Sequence, residues 1–475
     1  MTRAPLTRGA WIAVAATVVW HLATATIYSY HRDELYYLAS GRRLAWGYVD
    51  HPPLTPLLYR VSDRLFGSSL LGLRVVPALL HGVIVVLAAL LARELGGGAR
   101  AQLVAALGAA VVPMFLTIGH FLTTVTAEVV LWSLASLLVL RLLNGGDPRL
   151  WVVVGVVVGA ALLDKWTSVF LVGGLGVGLL LVPERRILAT PWIVAGAVVA
   201  LAVWAPNVVW QARHGWPQME MTQHLRNYGQ SVLTAPFQFV LLGVVSGMVA
   251  LPGFLWLLRD PDAHRYRSLG IAFIAIVALV TLTGGKPYYA AVFGPVLIAA
   301  GAVSGAGPPA RILPILLVVT GILIAPLAQP LLPVATADVG RHVNPDLGEM
   351  IGWPELVDTV ARVYRRHPGA TIFTANYSEA ASIEVLGRRR GLPQPISGHN
   401  TYWYWGHPRG RSEMTIAVGF PPGYLEALFA HVELAATFHS PGGVHNMEDG
   451  APIWVCRDQS ADWDTLWASS VKHLA

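Results

Sequence analysis

The sequence is poor in charge. Asp, Glu, Lys and Arg make up 13% of its 475 residues, about half of the roughly 25% usual in a soluble domain. That deficit excludes an ordinary soluble globular protein. Cysteine occurs once, at Cys456, which excludes an intrachain disulfide. Lysine occurs three times, at Lys165, Lys286 and Lys472, so the net charge of +6 rests on arginine. Those arginines fall in short loops between apolar runs. This is a topogenic pattern rather than a nucleic-acid surface, so no nucleic-acid partner is expected. No internal repeat is visible.

What the chain has instead is long apolar stretches, and these predict a polytopic α-helical membrane protein. A span needs about 20 apolar residues. Eleven segments qualify or come close: Trp11–Tyr30, Leu71–Ala92, Leu103–Ile118, Leu122–Leu143, Trp151–Leu163, Thr167–Val182, Pro191–Trp210, Phe237–Leu258, Leu269–Thr283, Tyr289–Val303 and Ile312–Leu332. The first is too long for a cleaved signal peptide and reads as an uncleaved span. With the N-terminus cytoplasmic, the inner loops carry Arg3/Arg8, Arg93/Arg100, Arg141/Arg149, Arg185/Arg186, Arg259/Arg265/Arg267 and Arg311. An odd number of spans then puts the tail outside. The outer segments are 31–70, the turns near Gly119 and Lys165, the loop Gln211–Ser231, the turn at Lys286, and the tail. The first outer loop breaks the charge rule with Arg32, Arg42, Arg43, Arg60, Arg64 and Arg74.

Two domains follow: a transmembrane part over 1–334, with its first outer loop at 31–70, and an extracytoplasmic α/β domain over 335–475. In the latter, Ala370–Thr374, Met414–Val418 and Pro452–Val455 read as strands. Trp353–Arg366, Glu379–Arg388 and Gly423–His431 read as helices.

Ionisable groups beside a span are costly and default to function. Asp33 and Glu34, in His31-Arg32-Asp33-Glu34-Leu35-Tyr36-Tyr37, open an expected interfacial helix; solvated charges on such a helix are the alternative. Asp50 and His51 precede Pro52-Pro53, which force an extended segment. Glu128 lies near the outer end of a span and must be paired or protonated, either in a cavity or in a structural ion pair. Lys165 and Lys286 fall at the same face, the latter in Gly284-Gly285-Lys286-Pro287-Tyr288-Tyr289. They are snorkelling anchors or a phosphate site, for which a compact ammonium is suited. A carboxylate base, cationic groups for a phosphate leaving group and many aromatics on one face point to chemistry on a lipid phosphate.

The first-loop pair, His31 to Tyr37 with Gly47-Tyr48-Val49-Asp50-His51-Pro52-Pro53-Leu54, resembles the signature of glycosyltransferase family 39. That family holds the protein O-mannosyltransferase-like and aminoarabinose-transferase-like enzymes of the GT-C fold. Gly159–Thr167, Trp204-Ala205-Pro206-Asn207, Gly284–Tyr289, Asn376–Ala380 and Ser397–Asn400 resemble its bacterial, especially actinobacterial, branch. The resemblance implies transfer of a sugar from a polyprenyl-phosphate donor to a glycan, lipid or protein acceptor outside the plasma membrane. It implies Asp33 as general base, with Glu34 and Glu128 as further acidic groups of the catalytic set. Lys165, Lys286, His51 and Arg74 would meet the donor phosphate. Tyr36, Tyr37, Asp50, Tyr288 and Tyr289 would line the substrate. His51 stands where the family often has Gln or Lys, and Glu128 where it often has Asp. Some relatives bind a divalent metal; no metal-ligand spacing is evident here, and the metal stays open. His399 and the run Tyr402-Trp403-Tyr404-Trp405 read as a cover, an acceptor contact or domain packing. The competing readings are a transporter or flippase, which favours midplane sites and repeats, and an inactive lipid-sugar-binding relative.

Overall fold

The computed structural model describes residues 5–225, 234–305 and 311–474. Arg3, positions 226–231 of the expected loop and Ala475 lie outside the described residues. Backbone contacts divide the chain into two units. One comprises Met1–Ala25, His51–Thr55 and Leu71–Gln329; the other comprises Thr26–Asp50, Pro56–Leu70 and Pro330–Ala475.

The first unit is helical. A helix lies in each expected apolar segment, because an apolar run in lipid can satisfy its backbone only internally. Among the described residues, four helices are long and apolar enough to cross a membrane: Leu70–Glu94, Thr124–Leu143, Pro191–Arg213 and His264–Leu282. A bent pair, Ala99–Ala110 and Pro113–His120, adds a fifth if counted as one span. Three expected segments are broken. Leu103–Ile118 bends by 63° where Pro113 removes an amide and drives Val112 to an extended ψ of 124°. Phe237–Leu258 breaks at Gly243, whose φ is 80°. Tyr289–Val303 splits into Tyr288–Ala291 and Gly294–Ser304, the second with proline in its first turn. The expected loop from Gln211 is partly helical: one helix runs on to Arg213, and Pro217–Leu225 forms another. Large apolar side chains such as Val194, Val198, Leu201, Leu282 and Leu323 are exposed on this unit. Their number suits a lipid-facing surface.

The second unit carries a five-stranded mixed sheet in the order β2-β1-β3-β5-β4. Its strands are β1 (Thr371–Thr374), β2 (Ile396–Ser397), β3 (Met414–Val418), β4 (Phe429–Thr437) and β5 (Pro452–Gln459). β1 pairs parallel with β2 and β3, and β5 pairs antiparallel with β3 and β4. Helix Trp353–Arg366 matches the sequence reading, with Leu356, Val357, Val360 and Val363 buried along one face. The expected helix Gly423–His431 is corrected. Helix stops at Glu426, and Phe429–Thr437 pairs with β5 instead. Its Ala-, Leu- and Glu-containing sequence favours helix locally, and edge pairing in the sheet overrides that preference. The segment Thr26–Asp50 packs into this unit: Leu35, Tyr36 and Ala39 share a buried core with Trp353, Ile372, Tyr402 and Val418.

Candidate functional site

In the second unit, helix Arg32–Arg42 begins with a capping box. The His31 ring accepts from the Asp33 amide at 3.1 Å, and Glu34 accepts from the His31 amide at 2.8 Å. Glu34 is buried and closes its own helix end. Asp33 points elsewhere. The Tyr377 phenol donates to its Oδ1 at 3.0 Å, and the Arg32 guanidinium lies 3.7 Å from the same oxygen. Burial, then the Asp33 charge, pushes the Tyr377 phenol well above its ordinary value, so it stays a donor. The Tyr377 ring also packs, tilted by 36°, against Tyr36 at 4.6 Å between ring centres and stacks on His399 at 5.2 Å.

The second carboxylate repeats the arrangement. Tyr36 donates to Asp50 Oδ1 at 2.9 Å and lies 2.7 Å from the Thr401 hydroxyl, while the Asn400 amide donates to Asp50 Oδ2 at 3.3 Å. Asn400 is held at a φ of 47°, which a non-glycine residue adopts only under constraint. Tyr37 is buried against Tyr59, 5.8 Å between ring centres. Asp33 and Asp50 are thus each gripped by a tyrosine hydroxyl. Tyr377, Asn400 and Thr401 come from far along the chain, and only the resemblance of Asn376–Ala380 and Ser397–Asn400 marked their neighbourhoods.

In the first unit, a second cluster forms around Lys165. Its ammonium lies 3.3 Å from Glu128 Oε2, while the Thr167 hydroxyl donates to Oε1. The rings of Tyr289 and Tyr288 flank the ammonium at 4.5 and 5.1 Å. Glu128 is fully buried. The expected pairing or protonation of Glu128 is therefore met by an ion pair with Lys165. Asp164, also fully buried, accepts from Thr55 at 2.7 Å, and the Trp166 indole donates to Asn207 at 2.9 Å. The Asp164-Lys165-Trp166, Trp204–Asn207 and Gly284–Tyr289 stretches therefore meet. A Cβ at Gly285 would lie 3.1 Å from the Tyr289 ring, so the ring sits close over this turn.

His51 is buried, with its Nδ1 3.1 Å from the Pro52 carbonyl oxygen. Arg74 is buried in helix Leu70–Glu94, where its Nη1 donates to the Ala25 carbonyl at 2.6 Å and faces His120 at 2.9 Å. Lys286 is exposed on the turn before Tyr288. Among the described residues, no group of three or more His, Cys, Asp or Glu side chains is arranged to hold a metal ion. The oxygens of Glu128 are engaged by Lys165 and Thr167.

Residues 50–210 match the family described as dolichyl-phosphate-mannose-protein mannosyltransferase. A curated relative, lipid A galacturonosyltransferase RgtD of Rhizobium johnstonii, is 27% identical over 272 residues, covering 54% of this chain and 56% of the relative. The chain thus spans just over half the length of that relative. Among solved structures, ArnT from Cupriavidus metallidurans bound to undecaprenyl phosphate aligns with a TM-score of 0.60 at 15% identity, over 94% of this chain and 98% of that one. The chain has the GT-C fold. The oligosaccharyltransferase of Archaeoglobus fulgidus aligns less closely, with a TM-score of 0.51 at 14% identity over 80% of this chain and 61% of that one.

Proposed function

We propose that this protein is a multi-pass membrane glycosyltransferase of the family 39 type, of the bacterial and especially actinobacterial branch. It would move a hexosyl or pentosyl group from a polyprenyl-phosphate donor to a glycan, lipid or protein acceptor. The reaction would take place on the extracytoplasmic face, with the N-terminus inside and residues 335–475 outside. The observation that carries the reading is the Asp33 carboxylate, held at 3.0 Å by a phenol that stays protonated. Asp33 is the general base: it takes the proton of the acceptor hydroxyl as that oxygen bonds to the anomeric carbon. The bond from that carbon to the phosphate oxygen breaks from the opposite side, with inversion. The polyprenyl phosphate leaves with the bonding pair, and cationic groups offset its growing charge.

Lys286, exposed beside the Tyr288–Tyr289 pair, is assigned to the phosphate. Lys165, already paired with Glu128, supplies a fixed positive charge beneath the same tyrosines. The test is hydrolysis or transfer by the purified protein in nanodiscs with a panel of polyprenyl-phosphate sugars, run beside Asp33→Asn. The variant is expected to lose turnover while still binding donor. Unchanged turnover would remove Asp33 from the chemistry. Donor binding with no turnover in either protein, together with flux in liposomes, would replace the transferase with a transporter.

A further inference from the structure

The second unit holds a cavity of about 550 Å³ that neither tyrosine-gripped carboxylate lines. Its volume lies in the range of small-molecule sites, about 300–1,000 Å³. Arg43, Tyr364, Gln394, Tyr402, Trp405 and His407 contribute to its wall. Pro393, Pro395 and Pro408 also line it, and their fixed φ stiffens the rim.

One buried carboxylate organises the polar side. Glu384, its side chain 7% exposed, accepts from Arg43 Nη1 at 2.7 Å, from Tyr402 at 2.9 Å and from the Gln394 amide at 2.9 Å. These bonds orient the Arg43 and Gln394 side chains but do not exhaust them. Among the described residues, Arg43 donates through Nη1, toward Glu384 and the Ala39 carbonyl, so Nε and Nη2 remain donors. Gln394 donates through Nε2, so its carbonyl oxygen remains an acceptor. Trp405, half-buried, lies under the guanidinium at 4.6 Å, and its indole N–H has no protein partner among the described residues. The wall thus presents donors, an amide acceptor and aromatic surface. The Arg43–Glu384 pair cancels its own charge.

From this we infer that the cavity is a saccharide-binding subsite for a neutral sugar unit of the acceptor. A sugar hydroxyl both donates and accepts, so neighbouring hydroxyls match a guanidinium edge beside an amide oxygen. Its C–H faces match aromatic surface. The compensated charge selects against a uronate or a phosphate. The inference rests on the transferase reading for the word acceptor, and on the cavity alone for the binding.

The test uses the full chain in nanodiscs with no donor present. Saturation-transfer NMR and tryptophan fluorescence would be recorded with maltose, cellobiose and mannobiose. Digalacturonate serves as the anionic probe and oligoproline as a peptide probe. Saturable binding of a neutral disaccharide is expected. It should weaken by about five- to tenfold in Gln394→Ala, where a single hydrogen bond is lost, and also in Trp405→Phe, at unchanged thermal midpoints. No saturable binding of any disaccharide, binding indifferent to both variants, or preference for digalacturonate or oligoproline would overturn the inference. Because no turnover is measured, absent saccharide binding in a protein that cleaves donor defeats the subsite alone. Absent donor cleavage in a protein that binds saccharide defeats the transferase reading alone.

Discussion

At the scale of single residues, the decisive feature is which polar groups are spent on the fold and which are left to act. Glu34 caps a helix and Arg74 ties together buried backbone, whereas Asp33 is positioned by a neighbour from another part of the chain. Tyr377→Phe removes the hydrogen bond that the phenol donates to Asp33. Under the proposed mechanism kcat should fall by about five- to tenfold, the worth of one such bond, with donor affinity unchanged. An unchanged kcat in a folded variant would make the contact merely structural. The two lysines should also separate. Lys165→Ala leaves Glu128 buried without compensation, a loss of about 3–5 kcal/mol in stability, visible as a large drop in thermal midpoint. Lys286→Ala removes an exposed ammonium and should leave the midpoint nearly unchanged. It should weaken donor binding by about 1–3 kcal/mol; equal donor affinity would refute its role at the phosphate.

At the scale of elements, the helical unit is assembled through glycine. A Cβ on Gly155 would meet the Gly196 carbonyl oxygen at 2.1 Å, one on Gly178 the Ser268 carbonyl oxygen at 2.1 Å, and one on Gly301 the Val249 carbonyl oxygen at 1.8 Å. In lipid, apolar side chains gain little by leaving their surroundings, so close backbone approach supplies the packing. Gly301→Ala must therefore push helices Val244–Arg259 and Gly294–Ser304 apart, at a cost on the order of 1–3 kcal/mol or more. Gly176→Ala meets nothing within 4 Å and should be neutral or stabilising by up to about 1 kcal/mol. Thermal unfolding in detergent separates the two. An unaffected Gly301→Ala would mean that the pair is not in van der Waals contact.

At the scale of the whole molecule, pH should act through buried carboxyls. Glu379 and Glu448 are both buried. Desolvation and their mutual interaction push Glu379 well above its ordinary value, and desolvation raises Glu448. An acid raised on folding contributes fully below its unfolded value near 4.5 and less as pH rises through the folded one. Glu448→Gln keeps the protonated form's hydrogen bonding at every pH. The variant should match the wild type in acid and become the more stable protein as pH rises; parallel stability curves would show that the pair stays singly ionised without cost. His399, lowered to about 3 by burial and by His473, acts in the opposite direction, and is common to both proteins in this comparison. The sequence by itself determined the helical membrane class, the apolar segments and the acidic and basic residues worth attention. Apolar length and charge placement are local properties that lipid enforces directly. It missed strand β4, because a helix-favouring edge segment is decided by its partner β5. It could not assign Tyr377 to Asp33, Tyr36 to Asp50 or Lys165 to Glu128. Only the tertiary structure decided these pairings and the packing of Thr26–Asp50 with the tail, because a buried charge takes whichever partner the fold brings within hydrogen-bond reach, however distant in sequence.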